Sequence, residues 1–175
     1  MMGVDPNSPK PGFEKSIIPY LIDIWLTDYL RTTSSDDIIE AATAGFSYLF
    51  DIASERLISA WGISAGRHGE ARDKSRMAGH PLSAGSHYHR GHAIPHTLGG
   101  PTDINLVPQA GRINIGPFRP LEKQAVATPG SLYFTYWIYV GSPPATDGRS
   151  GQTPTGVDQG LLIPQQSSQI ITHGN

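Results

Sequence analysis

One stretch of the chain gathers the residue types that hydrolytic chemistry needs. His89-Arg90-Gly91-His92-Ala93-Ile94-Pro95 is followed by Leu98-Gly99-Gly100-Pro101, then by Asn105-Leu106-Val107-Pro108-Gln109, then by Asn114-Ile115-Gly116-Pro117-Phe118-Arg119-Pro120-Leu121-Glu122. A histidine, an asparagine and a glutamate thus stand in fixed order within about thirty residues. A neutral imidazole can take a proton from water. An asparagine carbonyl is an oxygen ligand suited to a hard cation, and a nearby carboxylate can hold the waters bound to it. Together these are the parts for hydrolysing a phosphodiester with one metal ion. Eight residues separate Asn114 from Glu122, about two helical turns, so on one helix both would face the same cleft.

These pieces resemble the DNA/RNA non-specific endonucleases of the ββα-metal superfamily, in the Arg-Gly-His type found in bacterial toxin and effector nuclease domains. The family signature reads Asp-Arg-Gly-His, matched here by His89-Arg90-Gly91-His92. The resemblance implies that His92 is the general base and that Arg90 is a phosphate or structural contact in the catalytic set. A second family stretch has the form Asn-x-Gly-x-aromatic-x-x-Leu-Glu, matched by Asn114, Gly116, Phe118, Leu121 and Glu122. It implies Asn114 as the metal ligand and Glu122 as the carboxylate beside the metal-bound waters. One Mg²⁺ or Mn²⁺ ion, a DNA or RNA substrate, and an immunity or inhibitor protein in a producing cell are the cofactor and partners it implies. The resemblance covers residues 85–140. His89 stands where the family has Asp, and Pro117 and Pro120 fall where the family helix runs on. Proline is tolerated only in a first turn, so the helix is expected to begin near Pro117, with Asn114 just ahead of it. In the related His-Asn-His nucleases a metal ligand directly precedes the base; Gly91 in that place favours the Arg-Gly-His type.

Other residues carry a functional and an ordinary reading side by side. Arg112 and Arg119 flank the motif and are expected to contact phosphate. His96, four residues after His92, is a candidate substrate contact. His87 and His89 alternate with Tyr88 and would share one strand face, as a metal pair or as polar surface. Asn105 is expected to tie down the turn before the helix, and Tyr133, Tyr136, Trp137 and Tyr139 to pack as core. Two rival readings use the same segment. Gly85-Ser86-His87-Tyr88-His89 is similar to the first motif of the cupin metal barrels, but residues 90–100 lack the glutamate that motif needs. A non-catalytic nucleic-acid or partner-binding module with a degraded nuclease fold is the other, supported by His89 in place of Asp.

The 175 residues carry a net charge of −2, whereas nucleic-acid binders are usually basic. The bulk charge counts against such a partner unless the positive charge is local. Arg67, Arg72, Lys74, Arg76, Arg90, Arg112, Arg119 and Lys123 do crowd the middle third, while acidic residues are thicker in the N-terminal third. The chain has no cysteine, which excludes disulfides and thiolate zinc sites. No apolar window approaches the ~20 residues of a membrane span, and none resembles a signal peptide. The expectation is no membrane partner, and either delivery into a target cell without a classical signal or a cytoplasmic location.

The positioning elements are read from periodicity. Residues 17–31 have helical spacing. Ser34-Ser35-Asp36-Asp37 reads as a helix start, and apolar residues at three and four from Ile38 to Ile58 predict an amphipathic helix to about residue 60. Residues 62–88 read as loops, with room for one short strand, 86–94 as a strand, 103–127 as the stretch that holds the finger helix and 131–140 as the clearest strand. Residues 141–156 read as a loop and 157–172 as one or two strands. The expected fold is α+β: a ββα-metal finger on a small antiparallel sheet over residues 62–175, preceded by an N-terminal helical segment over 1–61.

Overall fold

The computed structural model describes residues 12–71, 75, 78–81, 84–141 and 151–175. Its frame is a six-stranded antiparallel sheet built from β1 (Ile38–Thr43), β2 (Phe46–Asp51), β3 (Arg56–Ile63), β6 (Leu132–Ile138), β7 (Gly156–Leu162) and β8 (Gln169–Gly174), in the order β1-β2-β3-β6-β7-β8. A separate two-stranded hairpin pairs β4 (Tyr88–His92) with β5 (Leu106–Ala110). Among the described residues three α-helices complete the fold: α1 (Ile18–Thr32), α2 (Gly111–Asn114) and α3 (Arg119–Ala127). The class is α+β, as expected.

The helix expected over 36–60 is instead three strands. Its apolar residues recur at three and four because two strands and a tight turn interleave there. Ala44 and Gly45 both have positive φ, 52° and 82°. They form the two-residue turn that matches strand twist, and Thr43 pairs with Phe46 across it. A second turn follows, in which Asp51 Oδ1 accepts the Ser54 N–H at 3.1 Å. The helical segment therefore ends at Thr32, and β3 runs through the expected boundary at residue 61 to pair with β6. Residues 38–61 are half of the main sheet.

Alternation on β6 divides the core into two layers. Phe134 and Tyr136 face α1, where Trp25 packs 5.3 Å from the Phe134 ring, 6.2 Å from Tyr136 and 5.7 Å from Trp61. Tyr29 of α1 donates to Asp51 at 2.6 Å, fixing the helix to β2. Tyr133, Thr135 and Trp137 face the other way, toward the hairpin and α3. Thr135 Oγ1 donates to the Ala93 carbonyl at 3.3 Å, and Phe118 packs 6.2 Å from Trp137. The β4–β5–α3 finger thus lies on the sheet face opposite α1. The expected strands over 86–94, 131–140 and 157–172 are β4, β6 and the pair β7 and β8. The loop expected at 141–156 falls largely on residues 142–150, outside those described.

Candidate active site

The hairpin is shaped by short-range constraints that the motif residues satisfy. Gly91 faces inward, and a Cβ there would run into the Gln109 side chain, so a side chain is not tolerated. After His92 the chain turns through Pro95 into Gly99, whose φ is 101°. Asn105, fully buried, closes this loop: its Oδ1 accepts the Ile94 N–H at 2.6 Å while Nδ2 donates to the Ile94 carbonyl at 2.7 Å and the Pro101 carbonyl at 3.0 Å. The structural role expected of Asn105 is the one these bonds give it.

The finger helix is not continuous. Residues 106–110 are a strand, α2 ends at Asn114, and α3 starts at Arg119 with Pro120 in its first turn. Gly116 and Pro117 interrupt what spacing alone reads as one helix, so Asn114 and Glu122 sit on two short helices at an interrupted corner. Phe118, fully buried, anchors that corner between Trp137 and His173, whose ring is 5.5 Å away.

A pocket of about 280 Å³ opens where the end of β4 meets α3. His92, His96, Arg119 and Glu122 line it, together with Arg67 and Lys123. His92 is 7% exposed at the end of its strand, whereas Glu122 is half-buried and Arg67, Arg119 and Lys123 are exposed. The His92 and His96 rings lie edge to face, 6.2 Å apart, and His96 Nε2 is 3.1 Å from the Glu70 carbonyl. Three cationic side chains against one carboxylate make this a local positive site in a net acidic chain.

Of the residues singled out from sequence, His92, Glu122, Arg119 and His96 come together here. Arg90, Asn114 and Arg112 are not among the described residues that line the pocket. Arg90 is half-buried on β4, and Arg112 is exposed on α2. Asn114 is half-buried and its Nδ2 lies 3.3 Å from His89 Nδ1. His89 is thus engaged with Asn114, and His87 is exposed. The open sheet, with edges at β1 and β8, is not the barrel a cupin requires. Arg67 and Lys123 were visible only as members of a basic cluster. Arg67 reaches the site because the His68 N–H donates to the Thr97 carbonyl at 2.8 Å, drawing the segment after β3 against the loop after β4.

Residues 57–130 match the family model described as DNA/RNA non-specific endonuclease. The matched segment runs from β3 to the turn after α3 and contains every residue of the pocket named above. No curated protein matches the chain. With His92, Glu122 and three phosphate-compatible cations in one pocket inside the matched segment, residues 57–130 are similar to the DNA/RNA non-specific endonucleases, hydrolases that act on phosphodiester bonds.

Proposed function

We propose that the chain cleaves DNA, RNA or both internally, with little sequence readout, using one hydrated divalent cation. The observation that carries this reading is that His92 and Glu122, from opposite ends of the finger, line one pocket with Arg67, Arg119 and Lys123. The three cations suit phosphate oxygens, contacts that position a nucleic acid without reading its bases. His92, largely withdrawn from solvent, is the base that takes the proton from the attacking water. Arg90, on the same face of β4 as His92 by strand alternation, and Arg112 at the rim of α2 are assigned supporting contacts to the backbone. His96 is assigned a contact to substrate.

The donor set fits a hard cation. Among the described residues no three His, Cys, Asp or Glu side chains gather to hold a metal, so a site here rests on few protein ligands. Asn114 turns its amide nitrogen to His89, which leaves its Oδ1 on the other side, where it would serve as an oxygen ligand. Glu122 would hold metal-bound water. Mg²⁺ and Mn²⁺ accept such a sparse oxygen set, Mg²⁺ because it keeps most of its waters. The ion supplies charge neutralisation at the phosphate and at the departing oxygen. A toxin or effector role, with an immunity protein guarding the producer, is the biological setting assigned by fold analogy. No helix among the described residues is long and apolar enough to cross a membrane.

The test is nicking of supercoiled plasmid and degradation of single-stranded RNA, with and without EDTA. Cleavage that stops in EDTA and returns with Mg²⁺ or Mn²⁺ is expected. Undiminished cleavage in excess EDTA would overturn the one-metal reading, and no cleavage of either substrate with any divalent cation would overturn catalysis.

A further inference from the structure

We propose that Gln159, acting with Tyr133 and His173, is a positioning device that sets the place of Glu122; this rests on the reading of Glu122 above. Gln159 is fully buried on β7, on the sheet face that carries the finger. Its Nε2 donates to the Phe118 carbonyl at 2.8 Å and to the Tyr133 hydroxyl at 2.9 Å. Its Oε1 lies 3.0 Å from His173 Nε2. A carbonyl can only accept, so the amide nitrogen must face Phe118 and its oxygen must face His173. His173 therefore carries its proton on Nε2. Both amide hydrogens and the amide oxygen are in use, and each of the three side chains is less than a tenth exposed.

The network ends on the backbone of α3. Phe118 is the residue before the first helical position, Arg119. In an α-helix the carbonyl of that cap residue accepts the first intrahelical bond, from the residue four ahead. Here that residue is Glu122. One carbonyl thus joins the Glu122 peptide to Gln159. The Tyr133 hydroxyl, having accepted from Gln159, keeps its own proton as a donor. Burial pushes its pKa well above the ordinary phenol range, and the Glu122 charge pushes it further, so hydroxyl and carboxylate act on each other electrostatically.

Buried amides and hydroxyls are costly unless fully satisfied, and apolar side chains of similar size fill a core without that requirement. A Gln–Tyr–His set whose central amide is fully bonded, leading to one helical turn, has a purpose if that turn bears a side chain whose place matters. Groups hydrogen-bonded directly to metal ligands are typically worth 10–100-fold in metal affinity, and a device acting one step further out, through the Glu122 peptide, should reach no more than the lower end of that range.

The experiment is Mn²⁺ binding to the full chain, followed by electron paramagnetic resonance without substrate, for Tyr133→Phe, Gln159→Met, Glu122→Gln and the Tyr133→Phe/Glu122→Gln double variant. Thermal melts and binding of a short oligonucleotide without divalent ion are measured alongside. Tyr133→Phe removes one hydroxyl and should fold; it decides the matter alone if Gln159→Met does not. The expected result is Mn²⁺ affinity lowered by about tenfold in Tyr133→Phe. Oligonucleotide binding should be unchanged, and less than about twofold further loss should appear when Glu122 is already Gln. Parental Mn²⁺ affinity in a folded Tyr133→Phe, or losses that add fully to that of Glu122→Gln, would overturn the positioning role while leaving Glu122 in place. A Glu122→Gln variant that itself binds Mn²⁺ like the parent would overturn the reading of Glu122, and this inference with it.

Discussion

Asn114 Nδ2 stands 3.3 Å from His89 Nδ1, so the side chain at position 89 presents the acceptor that faces Asn114. An amide nitrogen only donates, so the imidazole accepts there and bears its proton on Nε2. A carboxylate in the same place would also accept. Histidine instead of aspartate thus preserves the acceptor that orients Asn114. His89→Asp is expected to keep Mg²⁺-dependent cleavage near the parental level. His89→Leu should raise the Mg²⁺ needed for half-maximal rate by about tenfold. Asn114→Ala should lose most cleavage with the fold intact. Magnesium titrations of plasmid nicking check the series, and a His89→Leu variant indistinguishable from the parent would break the link.

His92→Ala should remove nearly all cleavage. General-base assistance is typically worth ~10²–10⁴-fold. Oligonucleotide and Mn²⁺ binding should survive, since the cations and Asn114 are untouched. Initial rates paired with binding isotherms separate a lost base from a lost site.

Substrate grip should rest on few phosphates. Arg67, Arg119 and Lys123 are the cations at the pocket, so the slope of log K against log salt is expected at about −2 to −4. Arg67→Gln should make that slope shallower by about one. A slope near −8 would reveal a much wider basic surface.

Burial lowers the pKa of His173, with Asp158 opposing part of the effect. The unfolded chain therefore binds a proton at higher pH than the folded one does. Stability should be full above the ordinary histidine value of 6.5 and should fall as pH drops below it toward the lowered folded value. His173→Gln should flatten that part of the profile. Urea melts between pH 5 and 8 measure it, and a loss of the same size in both proteins would assign the effect to other groups.

Asn105→Ala strips the loop after β4 of two buried hydrogen bonds and one part-buried one. It leaves the Ile94 N–H and C=O without these partners, at about 1–3 kcal/mol for each unsatisfied group. A lowered melting temperature with cleavage lost in proportion to unfolding is the expected pattern, read by calorimetry and nicking at several temperatures.

The finger was legible in part, because its motif residues lie close together along the chain, whereas its second strand, β5, fell where a helix was expected. His92, Asn105 and Glu122 keep their spacing along the chain, and β4 follows from the strand-like run that leads to His92. The sheet was less so. From Ile38 to Ile58 an alternating pattern broken by a two-residue turn imitates helical spacing, and Ala44 at positive φ is an uncommon residue for that turn. Gly116 and Pro117 interrupt the chain between Asn114 and Glu122, and the prolines placed the later helix start within two residues of where it lies. Arg67 was out of reach of any local pattern. Its position depends on a backbone bond between His68 and Thr97, residues far apart in sequence.

Because β3 lies between β2 and β6, the finger is not a portable cassette. Grafting residues 85–127 onto another scaffold would carry His92, Asn114 and Glu122 along. It would leave Arg67 behind and remove the floor that Thr135, Trp137 and Gln159 supply from the sheet. A transferable unit would therefore have to include the strands on both sides of the motif, β3 before it and β6 and β7 after it.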